Sequence, residues 1–221
     1  AEPSSLADNA LAVEFGVSPM TVRQAVQQLV TEGLLIRQRG KGTIVAPRPL
    51  RGSPQVMERL LEDWRLQGRD CRADILDRKL VAADARVAAV LGVQAGEHIA
   101  FVRRLRFVDG SPIALDNRYL SAELCEHFTN RDLAEKPIFM LLREKLHLPV
   151  TQATFTIRAA MADEYQARLL QIRRGAPILD REVDVTGADG VVFMTGNSLY
   201  HPDRFIFVAT APLDEAASGE A

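Results

Sequence analysis

Residues 15–43 constrain the fold more than any other stretch. Phe15-Gly16-Val17-Ser18-Pro19-Met20-Thr21-Val22-Arg23-Gln24-Ala25-Val26 runs on through Glu32-Gly33-Leu34-Leu35 to Gly40-Lys41-Gly42-Thr43. Ser18 suits an N-cap, because its hydroxyl can accept an orphan backbone N–H, and Pro19 suits the first helical position, where no N–H is needed. Val22, Ala25, Val26, Leu29 and Val30 fall at i, i+3, i+4, i+7 and i+8, which predicts a helix with one apolar stripe committed to a core. The opposite face carries Thr21, Arg23, Gln24, Gln27, Gln28 and Thr31, side chains that hydrogen-bond phosphates and base edges. Gly33 is expected to stop the helix, and Leu34 to Arg37 can pair with Thr43 to Val45 around a basic tip, Arg39-Gly40-Lys41-Gly42. Helix, stop and basic hairpin in this order are the parts of a winged helix-turn-helix.

The charge distribution agrees. The chain of 221 residues carries 27 Lys and Arg against 29 Asp and Glu, a balance that by itself gives no sign of a polyanion partner. Residues 18–51, however, hold Arg23, Arg37, Arg39, Lys41, Arg48 and Arg51 against Glu32 alone, so the positive end coincides with the helix and hairpin. Cys71 and Cys125 stand far apart, with no C-x-x-C and no histidine at ligand spacing, which favours two idle thiols over a zinc site or a disulfide frame. His98, His127, His147 and His201 are scattered, and Ser111 and Ser198 lack a G-x-S-x-G setting. No metal site, cofactor or catalytic residue is therefore expected. No signal peptide opens the sequence and no apolar run approaches the ~20 residues that span a bilayer, so a cytoplasmic protein with no membrane partner is expected.

Pro47, Pro49 and Pro54 with Gly52 mark an extended, semi-rigid linker over residues 47–54. It separates a first domain, 1–46, from a second, 55–213, which a tail of 214–221 follows. The second domain contains a weak repeat. Ala83-Asp84, Leu91, Val93, Gly96, Ile99, Asp109-Gly110 and Asn117 recur 79 or 80 residues later as Ala162-Asp163, Leu170, Ile172, Gly175, Ile178, Asp189-Gly190 and Asn197. Each copy reads as a capped helix, a glycine turn and an Asp-Gly hairpin: Ile99 to Val108 with Pro112 to Leu120, and Ile178 to Val185 with Val191 to Tyr200. Two such copies build one antiparallel sheet with helices on one side. A helix over Ile138 to Leu146 and a strand near Phe155 to Ala159 are expected between the copies, with a last strand over Arg204 to Ala211. Trp64 reads as a helix anchor against the sheet.

The motifs from Phe15 to Thr43 resemble the reader of the GntR superfamily of bacterial transcription regulators, with its "FGVS-x-x-TVR-x-A" helix and "G-K-G-T" wing. That resemblance implies DNA contacts from Thr21, Arg23, Gln24, Gln27, Arg39, Gly40, Lys41 and Thr43, with Asn9 from the preceding stretch. Pro19 replaces an arginine that many members carry, so the operator does not carry over from relatives. The family opens with a further helix before the position of Leu6, for which Ala1 to Ser5 are too few, so a missing first helix is expected. The second half is similar to the UTRA domain of the HutC subfamily in Arg104-Leu105-Arg106, Asp109-Gly110-Ser111-Pro112-Ile113-Ala114, Arg118-Tyr119-Leu120, Leu141-Leu142-Arg143-Glu144, Gly175-Ala176-Pro177-Ile178-Leu179 and Tyr200-His201-Pro202-Asp203-Arg204-Phe205. It implies an α+β, chorismate-lyase-like antiparallel sheet, a small-molecule effector and a homodimer.

Arg104 and Arg106 stand two apart on a strand and so share a face, and paired guanidinium groups inside a sheet need anions. Asp116 on the return strand can supply one, and a ligand carboxylate or phosphate another. A surface or dimer-interface role for these arginines is the competing reading. The resemblance adds that positions matching Arg104, Arg106, Asp116 and Tyr200 line effector pockets in relatives. Pro137-Ile138-Phe139 stands where phosphosugar sensors have Ser-Leu-Tyr, and Met194 where they have Glu. With Phe139 and Met194 nearby, an organic acid or phosphonate-like anion is expected rather than an amino-sugar phosphate. Arg158, Asn197 and Tyr200 are the alternative pocket. The whole reads as a DNA-binding regulator, expected to be a repressor on a palindromic double-stranded operator. The alternatives are a chorismate-lyase-like enzyme and a DNA-binding protein that senses nothing.

Overall fold

Two local signals shape the first unit of the chain. Ser18 Oγ accepts the Thr21 N–H at 3.1 Å and so caps a helix. Gly16, at φ +65°, ends the helix before it, with the Val17 N–H returning to the Ala12 carbonyl at 3.1 Å. The computed structural model describes residues 8–31, 35–38, 42–45, 50–52, 64 and 68–208, and separates two units, Ala1–Arg48 and Pro49–Ala221.

In the first unit the helices are α1 (Asp8–Phe15) and α2 (Pro19–Thr31), and the strands β1 (Leu35–Gln38) and β2 (Gly42–Val45) pair antiparallel from Leu35↔Val45 to Gln38↔Gly42. Val22 and Val26 are buried with Ala12 and Leu35, and Leu11 and Val30 pack beside them. Ala25 and Leu29 are exposed, so the apolar stripe is narrower than its sequence spacing suggests. One residue per turn reaches α1, and the flanking positions face outward. The expected stop at Gly33 and the wing tip Arg39-Gly40-Lys41 lie outside the described residues.

The second unit is built on a six-stranded antiparallel sheet. Its strands are β4 (Cys71–Ala82), β5 (His98–Val108), β6 (Ser111–Ser121), β7 (Val150–Met161), β8 (Pro177–Gly187) and β9 (Val192–Tyr200), in the spatial order β4-β5-β6-β9-β8-β7. This order gives the internal repeat its meaning. Three strands of one copy lie beside the same three of the other, and the equivalent residues Asn117 and Asn197 face each other across the seam, joined by a side-chain hydrogen bond of 3.0 Å.

The repeated helices α3 (Ala85–Leu91) and α7 (Glu164–Leu170) begin alike. Asp84 accepts the Val87 N–H at 2.8 Å and Asp163 the Gln166 N–H at 2.7 Å. Both lie on one sheet face: Val87 and Ala88 against Ile99, and Ala167 and Leu170 against Leu105, Leu115, Ile178 and Leu199. The repeat places its own two helices on one side as expected, but the domain carries helices on both faces rather than one, because the stretch between the copies adds its own. Between the copies, α4 (Ala122–Glu126), α5 (Asn130–Glu135) and α6 (Ile138–Glu144) cover the other face, where Cys125, Leu133, Ile138 and Leu142 meet Ala100, Val102, Leu120, Val183, Val185 and Met194.

Two elements depart from the sequence reading. Phe205–Phe207 (β10) is shorter than expected and stays out of the main sheet, pairing in parallel with Leu50–Gly52 (β3) instead. These three residues fall within the proline-marked linker but between Pro49 and Pro54, so each keeps its N–H and can join a ladder. β4 carries five charged residues in twelve and a register shift between Ile75 and Asp77, features that disguise a strand in sequence while protecting a sheet edge. Trp64 is buried with Cys71, Val108, Ile113, Ala114, Tyr200 and Phe205.

Gly196, in the middle of β9, lies opposite Arg118 at φ +149°, and a Cβ there would stand 2.0 Å from the Asn117 carbonyl oxygen. Gly196→Ala should cost about 3 kcal/mol or more, because a backbone atom of a central strand must move. Gly175→Ala is the reference, since its Cβ meets nothing within 4 Å and strain at φ +72° is its whole penalty. Urea unfolding of both variants checks the difference.

Candidate functional site

The outward face of α2 and the inner edge of the hairpin form an open concavity of about 590 Å³, lined by Arg23, Gln24, Gln27, Arg37 and Thr43. Arg23, Gln24 and Gln27 are exposed and project from consecutive turns of α2, whereas Arg37 and Thr43 are register partners on β1 and β2. The surface is cationic and rich in amide groups, which suits phosphates and base edges. Thr21 also lies on α2, but its hydroxyl is engaged with Ser18 Oγ at 2.9 Å. Asn9 lies on α1, and its side chain, like Arg39, Gly40 and Lys41, is outside what the structure describes. Sequence reading counted Arg37 only as local charge. Its signal was parity, since alternation from the buried Leu35 puts it on the same side of the strand as a residue that faces α2.

In the second unit, strand register assembles a polar row through the sheet. Arg104 on β5 lies opposite Asp116 on β6, Asp116 opposite Ser198 on β9, and Ser198 opposite Arg181 on β8. Arg106 and Arg118 flank it. Asp116 is completely buried, and Arg104, Arg106, Arg118, Arg181 and Ser198 are all buried around it. Its Oδ2 accepts from Arg104 Nη2 at 3.1 Å, and its Oδ1 from Arg106 Nη2 at 3.0 Å and the Ser198 hydroxyl at 2.7 Å. Arg118 Nη2 in turn donates to Ser198 Oγ at 2.8 Å. Arg104 Nη1 donates to the Leu133 and Lys136 carbonyls at 2.9 and 3.1 Å, beneath the end of α5. Burial pushes the Asp116 carboxyl up. Arg106, Arg118 and Arg104, with the Ser198 hydroxyl, outweigh it and hold the group well below the usual carboxylate range.

The expected effector residues divide between the two faces of the sheet. Arg104, Arg106, Asp116, Met194 and Tyr200 share the face covered by α4, α5 and α6, and Phe139 of α6 packs against the apolar cluster that contains Met194. Asn197 and Arg158 lie on the opposite face. Asn197 donates to Asp180 at 2.8 Å beside Asn117, and the exposed Arg158 pairs with Glu182 at 2.7 Å. Arg118, Arg181 and Ser198 join the row without having been singled out as site residues. Period-2 spacing from Asp116 points to Arg118, and alternation with Val183 and Val185 points to Arg181, but Ser198 is visible only once β6 and β9 are known to be neighbours. His201, which follows Tyr200, is buried, and its Nδ1 accepts the Asp203 N–H at 3.1 Å. Burial drives its pKa to about 4 and leaves it uncharged at neutral pH.

A helix-turn-helix unit with a polar concavity, followed by a sheet domain holding a buried cationic row, defines a DNA-binding regulator with a ligand-responsive second domain. The comparisons agree. The description "Bacterial regulatory proteins, gntR family" matches residues 3–45, and "UTRA domain" matches residues 66–206. The chain belongs to the GntR superfamily, in the HutC subfamily that joins this reader to a UTRA domain, and it is a transcription regulator rather than an enzyme. It is 29% identical to the HTH-type transcriptional repressor NagR of Bacillus subtilis over 89% of this chain and 81% of that one. It is 26% identical to the histidine utilization repressor of Pseudomonas putida over 78% and 68%. The crystal structure of PhnF from Mycobacterium smegmatis superposes with a TM-score of 0.68 at 25% identity, covering 97% of this chain and 95% of that one. Among the described residues no helix is long and apolar enough to cross a membrane.

Asp116→Asn keeps the shape of the side chain but removes the charge that three guanidinium groups face, and should destabilise the second unit by about 3–5 kcal/mol in urea unfolding. On the reader, Arg37→Ala should weaken DNA binding by about 1–3 kcal/mol with an unchanged melting temperature. Equilibrium binding across a salt series checks it: a loss that is the same for every sequence, with the slope reduced by about one, marks a phosphate contact, and a loss confined to one sequence marks a base contact.

Proposed function

We propose that this chain is a repressor that binds a palindromic operator as a homodimer and is released by an acidic metabolite bearing an apolar part. Arg23, Gln24, Gln27 and Arg37 on the reader's concavity, together with Thr21, Thr43, Asn9 and the wing residues Arg39, Gly40 and Lys41, contact the DNA. Two readers related by a two-fold axis call for an operator of the same symmetry. That its relatives are named repressors supports the sign of regulation.

The observation that carries the effector class is the charge of the row. Four buried arginines, Arg104, Arg106, Arg118 and Arg181, surround one buried carboxylate, Asp116. A carboxylate or phosphonate entering this environment meets guanidinium groups that can give it charge-assisted, bidentate hydrogen bonds. Phe139 and Met194 belong to the adjoining apolar cluster and suit a ligand whose remainder is hydrocarbon rather than polyhydroxylated.

A thermal-shift panel of alkyl and aryl carboxylates, phosphonates and phosphate esters tests this, with release from DNA selected out of a random duplex library as the second readout. An effector at 100 times its Kd should stabilise the protein by about 2.7 kcal/mol and release the DNA. Arg106→Met should lose about 1.5–3 kcal/mol of that ligand's affinity and stay on the DNA at concentrations that release the wild type. A ligand with no acidic group that binds equally well to Arg106→Met would overturn the anion reading, and a panel without a binder would favour a regulator that senses nothing.

A further inference from the structure

The arginine row and the linker strand are joined by an unbroken series of contacts within the second unit. Arg106 Nη2, paired with Asp116, also donates to the Tyr200 hydroxyl at 3.3 Å, and the Arg106 and Arg181 guanidinium carbons each lie 5.7 Å from the Tyr200 ring centroid. Tyr200 in turn stacks on Phe205, with ring centroids 4.2 Å apart and planes inclined by 25°. Phe205 is the first residue of β10 and the register partner of Leu50 in β3. Only residues 46–49, two of them proline, separate Leu50 from Val45 at the end of the wing strand β2.

We infer that Tyr200 and Phe205 are positioning residues which tie the state of the arginine row to the pairing of the linker strand β3. A parallel ladder of three residues does not persist on its own. Here it is held because Phe205 is buried beside Tyr200 with Trp64, Val108 and Ile113. The turn between the two aromatic residues is anchored as well. The His201 N–H donates to the Ile113 carbonyl at 2.9 Å and Arg204 Nη1 to the Pro112 carbonyl at 3.0 Å, so a displacement of Tyr200 is passed to Phe205 instead of being absorbed by a slack loop. Arg104 provides the contrast. It shares Asp116 with Arg106, but its Nη1 donates to the Leu133 and Lys136 carbonyls, at the end of α5. A group that rearranges Arg106 would therefore loosen or tighten the β3–β10 ladder, which begins five positions after the last residue of β2.

The biological use of this coupling rests on reading the row as the effector site, but the coupling can be tested without any ligand. Hydrogen–deuterium exchange is followed on the full chain in wild type, Arg106→Met, Tyr200→Phe and Arg104→Met. The amides of residues 50–52 and 205–207 should exchange about tenfold faster in Arg106→Met and Tyr200→Phe, and within about twofold of wild type in Arg104→Met. Phe205→Leu should speed the same amides, and Phe205→Tyr, which keeps the stack, should restore them. If Arg106→Met fails to fold, Tyr200→Phe carries the test, since it removes one oxygen atom. Equal acceleration in Arg104→Met would show a general loss of stability and overturn the inference, as would unchanged exchange at residues 50–52 in Tyr200→Phe. Ligand binding in the thermal-shift panel is a separate readout. A chain that shows the exchange pattern but binds no acid refutes the effector reading alone, and one that binds an acid without the pattern refutes the coupling alone.

Discussion

The carboxylate of Asp116 is the centre on which the second unit depends. A carboxyl group with no exposed surface would ordinarily take up a proton, yet three guanidinium groups and the Ser198 hydroxyl hold this one ionised. The arrangement binds both ways: the arginines can be buried because Asp116 is charged, and Asp116 is charged because they are buried. Such a network stabilises less than apolar packing of the same volume would, because desolvation consumes much of the attraction. Its value lies elsewhere. It fixes the register of β5, β6, β9 and β8 at one level of the sheet, since a slip of one residue would turn each partner to the opposite face.

The two faces of that sheet then diverge. One receives the repeated helices and a ladder of polar side chains from a guanidinium through two amides to a carboxylate, Arg103 to Asn117 to Asn197 to Asp180, each step a hydrogen bond of 2.8 to 3.0 Å. The other receives the inserted helices, the arginine row and the apolar cluster around Val183 and Met194. The insertion between the copies therefore makes the difference. Helices encoded once cover one face of a frame encoded twice.

The reader was the most legible part of the sequence because its signals are local: Ser18 as a cap, Pro19 behind it, valines at a helical period, and glycines around a hairpin. The hairpins of the sheet were legible for the same reason, marked by Asp109-Gly110 and Asp189-Gly190. What escaped is what depends on which strands become neighbours. Asn197 and Ser198 are adjacent in sequence and lie on opposite faces, so choosing the first over the second is an error of one residue that only the β6–β9 register corrects. Arg181 meets Ser198 through a third strand, and Leu50 meets Phe205 across 155 positions of chain, so neither contact leaves a trace in local spacing. β4 was hidden because its edge position tolerates the charges that make it look like a loop.

The seam at Asn117 and Asn197 relates the halves of the sheet by an approximate two-fold rotation, but the side chains do not obey it. At the repeat offset, Arg104, Arg106 and Asp116 correspond to Val183, Val185 and Gly196, so the positions that carry charge in one half carry hydrocarbon, or nothing, in the other. The backbone is a near-dimer within a single chain, whereas its chemistry is that of a monomer. Among the described residues the sheet therefore carries one such charged centre, and the second repeat supplies frame without a second site of the same chemistry.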